Sequence, residues 1–255
     1  MKNIKRYFTN ANVVLLLALT ALVFASCENA DDLMKKGDAL WDSAEYEQAA
    51  VMYGKAIQKK PSAELYYKRG SMFYNLQKYN TALDDFNSSI NLDKDYEKAY
   101  KWRGYTYNVL EDYKSAASDL KNYTRVVQDD HDALTIFSQV LYSNDEVDDA
   151  IKAAAAVITL KPDMANGYIL RGYGYLIKKN YKASSSDFRA ALKIDPENAY
   201  AKENLAEINR LEQQAARAEQ QAARNSLRRM MGSGDPYTDL YNFGYQLGLD
   251  MLLGD

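Results

Sequence analysis

Cysteine and histidine occur once each in the 255 residues, at Cys27 and His131. A single histidine and a single cysteine cannot supply a Ser–His–Asp set or a structural zinc cluster. No catalytic residue, metal site or cofactor is therefore expected, and the chain reads as a non-enzyme. With one cysteine there is no disulfide within the chain, so stability has to come from packing. Glycine (12) and proline (4) are too few for a low-complexity or collagen-like chain. Positive charge is also short. The formal net charge is -3, and Lys2, Lys5 and Arg6 lie in the first 26 residues without an acid, which leaves the remainder more acidic still. That balance argues against a nucleic-acid partner, which needs a clustered basic face. What is abundant is tyrosine, 22 residues in a chain that is 47 % hydrophobic, as suits a globular or repetitive fold.

The N-terminus reads as an address. Its three basic residues precede the apolar run Val13 to Ala25, broken only by Thr20. This run falls short of the roughly 20 residues of a membrane span and suits a secretory signal. It ends Phe24-Ala25-Ser26-Cys27, which resembles the bacterial lipobox, with Phe24 in place of the usual Leu. The resemblance implies a lipoprotein signal peptide over 1–26 and lipid attachment at Cys27, with palmitate-type chains. It also implies export to the outer membrane of a Gram-negative bacterium, on the periplasmic face or the cell surface. Two acyl chains suffice for stable anchoring. Residues 27–32 form an acidic tether. Its Asp31 and Asp32 either resemble a surface-export signal or favour the first turn of a helix.

A repeat dominates the rest. With Gly172 as position 8 of its unit, the matching residues upstream are Ser138, Gly104, Gly70 and Gly37, at steps of 34, 34, 34 and 33. Position 17 is Tyr46, Tyr79, Tyr113, Val147 and Tyr181; position 24 is Tyr53, Phe86, Leu120, Ala154 and Phe188. Within a unit, positions 4, 8 and 11 share one helical face, and 17, 20, 24 and 27 another. Glycine inside a helix costs about 1 kcal/mol relative to Ala, so its recurrence at position 8 calls for a close approach of two helices. Pro61, Pro162 and Pro196 at position 32 end second helices.

This period and pattern resemble the tetratricopeptide repeat (TPR) family. The resemblance implies an all-α fold: a right-handed TPR α-solenoid of five helix hairpins plus a C-terminal capping helix. The five TPR units span 30–63, 63–96, 97–130, 131–164 and 165–198 within residues 30–196. A capping and polar extension helix follows over 197–231, with Ala201, Leu205, Ile208 and Leu211 facing the last hairpin. Its QQAAR repeats admit either a solvated extension or a coiled-coil seam. The tail 232–255 carries a short amphipathic helix through Leu240, Gly244, Leu247 and Met251.

Three units carry Arg at position 7 and Asp at position 23: Arg69 with Asp85, Arg103 with Asp119, and Arg171 with Asp187. A hairpin turning near position 15 sets these two positions at one height, which predicts internal bidentate pairs. The fourth unit has Phe137 and Ala153 instead, and its alanine run Ala153 to Ala156 predicts either a thinner, tighter helix or a hinge or opening.

In the TPR family, positions 2, 5, 9, 12 and 13 of the first helices line a concave groove. Here this implies a partner-binding set of Trp41, Tyr67, Tyr74, Asn75, Lys101, Tyr105, Asn108, Gln139, Tyr142 and Tyr173. Clamps for a C-terminal carboxylate need Lys and Asn where this chain has Met34 and Asp38, so that mode is not expected. The expected function is a membrane-anchored scaffold binding a protein or extended peptide. The alternative is a glycan-binding surface lipoprotein, since glycan-uptake lipoproteins also carry such repeats.

Overall fold

A computed structural model describes residues 28–231. The signal segment 1–26, Cys27 and the tail 232–255 lie outside the described residues. Those described form helices and turns only, and the chain divides into two compact units after Pro162.

The first unit holds four hairpins: α1 (Ala30–Asp42) with α2 (Tyr46–Lys59), α3 (Ala63–Asn75) with α4 (Tyr79–Leu92), α5 (Glu97–Val109) with α6 (Tyr113–Val126), and α7 (His131–Ser143) with α8 (Val147–Leu160). Each helix packs on the next, and the first helices α3, α5 and α7 also touch in sequence, giving the α-solenoid architecture. The second unit holds a fifth hairpin, α9 (Ala165–Ile177) with α10 (Tyr181–Ile194), covered by α11 (Ala199–Met231). Ala201 and Ile208 of α11 are fully buried with Phe188 and Ala191 of α10. From Glu212 to Arg229 every residue is exposed, so the QQAAR stretch is a solvated extension in the single chain.

Local chemistry explains the boundaries. Asn29, Ser62, Asp112, Asp130 and Asn180 accept a hydrogen bond from a first-turn N–H, each worth about 1 kcal/mol. Helices α2, α8 and α10 stop two residues before Pro61, Pro162 and Pro196, because the residue ahead of a proline is pushed out of the helical region. All five hairpin turns are built alike. Ala44, Gln77, Glu111, Asp145 and Lys179, each at position 15, have φ between 57° and 61°. In each turn the next residue's N–H reaches back across the helix end, as Lys78 N to Phe73 O at 2.8 Å, while Gln77 N donates to Tyr74 O at 2.9 Å. This is the Schellman closure, made here without glycine.

Position 8 sets how closely the two helices approach. A Cβ on Gly37 would lie 2.5 Å from the Tyr53 ring, and one on Gly70 2.8 Å from Phe86. Where position 24 shrinks to Ala154, position 8 grows to Ser138, whose Oγ donates to Ala150 O at 2.9 Å. The fifth hairpin reverses that bond, Ser184 Oγ donating to Gly172 O at 2.8 Å. Glycine at position 8 thus faces a large side chain, Tyr53, Phe86, Leu120 or Phe188, and serine at that position faces Ala154.

Candidate functional site

Two sets of side chains decorate this scaffold. The first closes hairpins two, three and five internally. Arg69 donates to both oxygens of Asp85 at 2.6 and 2.8 Å, Arg103 to Asp119 at 2.7 and 2.8 Å, and Arg171 to Asp187 at 2.8 Å twice. The three carboxylates are buried. Burial pushes the Asp85 and Asp119 carboxyls up, and the facing guanidinium draws them back. The aromatics at positions 4 and 11 complete the arrangement. Arg69 lies over Tyr66 and Phe73 at 5.5 and 6.0 Å, and Arg103 over Tyr100 and Tyr107 at the same distances. Arg103 also donates to Asn87 Oδ1 at 2.7 Å. These arginines are internal braces, with Nε and Nη2 of each committed to the carboxylate. The fourth hairpin replaces the whole set with Leu134, Phe137, Leu141 and Ala153.

The second set lies along the first helices of unit one. Tyr74 of α3 meets Trp102 of α5 edge-on at 5.1 Å, and also Tyr79 at 5.6 Å; Trp102 meets Tyr105 at 5.8 Å. Tyr67 sits 5.5 Å from Tyr96 and 6.5 Å from Phe86. Burial pushes the Tyr67, Tyr74 and Tyr105 phenols above their ordinary value. Two carboxylates tie neighbouring hairpins together. Asp38 accepts from Tyr53 Oη at 2.8 Å and Lys68 Nζ at 2.7 Å, and the same ammonium lies 5.7 Å over Trp41. Asp130 caps α7 through Ala133 N at 2.9 Å and accepts from Tyr123 Oη at 2.7 Å and Lys101 Nζ at 3.0 Å. Burial raises the Asp130 carboxyl, but those three hydrogen bonds outweigh it and hold the group below the usual carboxylate range.

The groove set therefore divides. Trp41, Tyr67, Tyr74, Lys101 and Tyr105 are half-buried and engaged with neighbouring side chains. Asn75 and Gln139 are exposed, with Asn75 Nδ2 donating to Ser71 O at 2.9 Å; Asn108 and Tyr142 are half-buried. Tyr173 belongs to the second unit, where it is 36 % exposed and edge-on to Tyr200 at 6.4 Å. Trp102, at position 6, is absent from the sequence-based set because that position lies between the groove positions. Its signal is the tyrosine pair at 74 and 105, which needs a large ring between them. Among the described residues no group of three His, Cys, Asp or Glu side chains could hold a metal. None of the described helices is long and apolar enough to cross a membrane.

Models of the tetratricopeptide repeat match residues 34–97 and 103–165, and a further one matches 165–198, together more than half of the sequence. The chain belongs to the tetratricopeptide repeat family. Among similar TPR-containing proteins, Hsc70-interacting protein 1 of Drosophila melanogaster is 32% identical over 95 residues, 37% of this chain and 25% of that protein. RNA polymerase II-associated protein 3 of Xenopus laevis is 28% identical over 185 residues, 71% of this chain and 26% of that protein. The chain thus spans about a quarter of the length of each. Among solved structures, YrrB, described as a TPR protein with an unusual peptide-binding site, superposes with a TM-score of 0.66 at 24% identity, covering 73% of this chain and 96% of its own. MamA superposes with a TM-score of 0.61 at 23% identity, covering 67% and 93%. At these identities the likeness establishes the TPR fold alone.

Proposed function

We propose that this TPR protein is a non-enzymatic scaffold, anchored to a membrane through lipid on Cys27, that holds an extended polypeptide along the first-helix face of its first unit. The observation that carries the reading is the edge-on aromatic row Tyr74–Trp102–Tyr105, on first helices that, with α7, also carry Asn75, Asn108 and Gln139. Rings fixed edge-on to one another lose little entropy when a partner is bound. Asn75, Asn108 and Gln139 offer paired donors and acceptors to a peptide backbone. The edge-on packing engages the rings with one another, which favours a polypeptide over a stacked sugar. The names of the Drosophila and YrrB relatives point the same way. The lipobox-like Phe24–Cys27 supplies the anchor reading.

A photo-crosslinking amino acid placed at Asn75 or Gln139 in cells should capture a protein partner, whereas the same residue at exposed Glu47 on α2 should not. Equal capture at all three, or none, refutes the groove. Membrane fractionation of Cys27→Ser tests the anchor separately: the variant should appear in the soluble fraction, and an unchanged distribution refutes lipid attachment.

A further inference from the structure

The fourth hairpin opens a site on the opposite side of the first unit, along the second helices. Phe137 and Ala153 stand where Arg and Asp brace hairpins two and three, and Leu134 and Leu141 stand where aromatics flank that arginine. The Arg–Asp pair is gone and its aromatic flanks are replaced by smaller leucines. Between α6 and α8 this leaves an open cleft of about 700 Å³ floored by Ala117, Leu134, Phe137, Leu141, Ala153 and Ala156. A second cleft of about 380 Å³ shares Leu134 and Ala156 with it and continues to Gln128 and Leu160. The two make one trough along the full length of α6 and α8, 14 residues each, or about 20 Å at the helical rise. Beside the second hairpin the comparable cleft is about 320 Å³ and has Arg69 in its wall.

The rims differ in charge. On α6, Lys114 and Lys121 stand two turns apart on one edge, both exposed, and neither forms an ion pair among the described residues. On α8, Asp149 is tied to Lys152 at 2.7 Å, and that hydrogen bond, with a smaller contribution from Lys121 nearby, holds its carboxyl low. Glu146 accepts from Asn144 Nδ2. Lys114, Lys121 and Lys152 against Glu146 and Asp149 leave the rim with one net positive charge, and the α6 edge carries ammonium groups only.

We propose that this trough is a second docking site, distinct from the first-helix groove, which takes an amphipathic α-helix of about four turns. The helix lays apolar side chains at i, i+4, i+7 and i+11 over Phe137 and the alanines. It carries carboxylates on the flank that meets Lys114 and Lys121. The length fits a helix laid between two others, and the apolar floor accepts an i, i+4 stripe rather than an extended strand. The basic rim fixes the sign of the flank and the orientation of the helix.

The test uses the full chain and a fluorescein-labelled peptide of about 15 residues with leucines at those spacings and glutamates along one flank. A counterpart carries lysines there. Anisotropy should show the glutamate peptide binding at least tenfold more tightly than the lysine peptide, with the difference shrinking in salt. Lys114→Glu with Lys121→Glu, at exposed positions that do not threaten the fold, should reverse the preference. Phe137→Arg with Ala153→Asp rebuilds the brace of the other hairpins and should weaken the glutamate peptide at least tenfold, with the circular dichroism spectrum retained. Equal binding of the two peptides, or binding indifferent to the rebuilt brace, overturns the proposal. So does concentration-dependent self-association that the rebuilt brace abolishes while neither peptide binds, which would assign the trough to a second copy of this chain.

Discussion

Hairpins two and four are the same fold with opposite interiors at one place. In the second, a charged pair between aromatic faces joins the helices; in the fourth, four apolar side chains occupy the same positions and leave a trough. The comparison separates what the repeat needs from what a given hairpin adds. Both keep the Schellman turn, a buried residue at position 8 and the packing of positions 20 and 24. The brace is therefore not required for a hairpin to form. It is a local closure whose removal opens a surface.

The largest effect should come from breaking one brace by half. Asp85→Ala leaves Arg69 without its carboxylate in a half-buried site, and unpairing a buried charge costs about 3 kcal/mol, somewhat less where the guanidinium can turn to water. Adding Arg69→Phe, so that the hairpin carries the fourth unit's pair, should recover most of that loss and bring stability within about 1 kcal/mol of the parent. In the reverse direction, Ala153→Asp alone buries a carboxylate without a partner and should cost about 2 kcal/mol, largely recovered by Phe137→Arg. Thermal unfolding of the full chain, run as two double-mutant cycles, reads both. If Asp85→Ala is harmless, the pair is ornamental.

The position-8 contact should give the next effect. On Gly37→Ala, the new methyl meets a tyrosine ring held by its hydroxyl on Asp38 at 2.8 Å, so the ring cannot simply swing aside. Overpacking of this kind costs about 2 kcal/mol after the helix-propensity gain of alanine is counted. At the same position of the fourth hairpin, Ser138→Ala removes one buried hydrogen bond and should cost only about 1 kcal/mol. Urea denaturation of the two variants compares them, and a reversed order would show that the ring has room to move.

Much of this difference is legible in the residues. The 34-residue step identifies the hairpins and places Gly37, Gly70, Gly104 and Gly172 against position 24, because helix contacts repeat with the unit. The joint presence of Arg at 7 and Asp at 23 is also written in the sequence, since both positions lie inside one hairpin. What escapes is whatever depends on two hairpins at once. Trp102 fills the space between Tyr74 and Tyr105 from an intervening position, and Asp130 serves as a cap, a tyrosine acceptor and the partner of Lys101 together. The alanine run Ala153 to Ala156 admits a thinner helix, a hinge or an opening alike. The trough's depth and charge come from α6, whose lysines 114 and 121 have no special spacing within their own repeat. The turns escape for another reason. Left-handed residues usually announce themselves as glycine, and none of the five here is one.

Asp130 gives a pH-dependent effect that belongs to the junction of hairpins three and four. Its folded-state pKa lies below the unfolded value of about 3.9. Its stabilisation is therefore complete above that value and is lost as pH falls through the lower folded pKa. Asp130→Asn keeps a capping oxygen but not the charge facing Lys101, so it should be less stable than the parent at neutral pH. The two should converge in acid, below the folded pKa. Chemical denaturation at a series of pH values measures the gap, and a gap that persists into acid would assign the loss to the cap instead.

The smallest effects should appear in the turns. An ordinary residue in the left-handed region costs about 1 kcal/mol, and glycine returns part of that gain through the greater entropy of its unfolded chain. Gln77→Gly should therefore stabilise by about 0.5 kcal/mol, leaving the hydrogen bonds from residues 77 and 78 intact, since both donors and acceptors are backbone. Asp145→Gly, in the fourth hairpin, should gain less, because aspartate tolerates this conformation better than glutamine. The melting temperatures of the two variants decide it. If Asp145→Gly gains as much or more, the fourth turn is under a strain that the second does not share, and the difference between the hairpins extends beyond the brace.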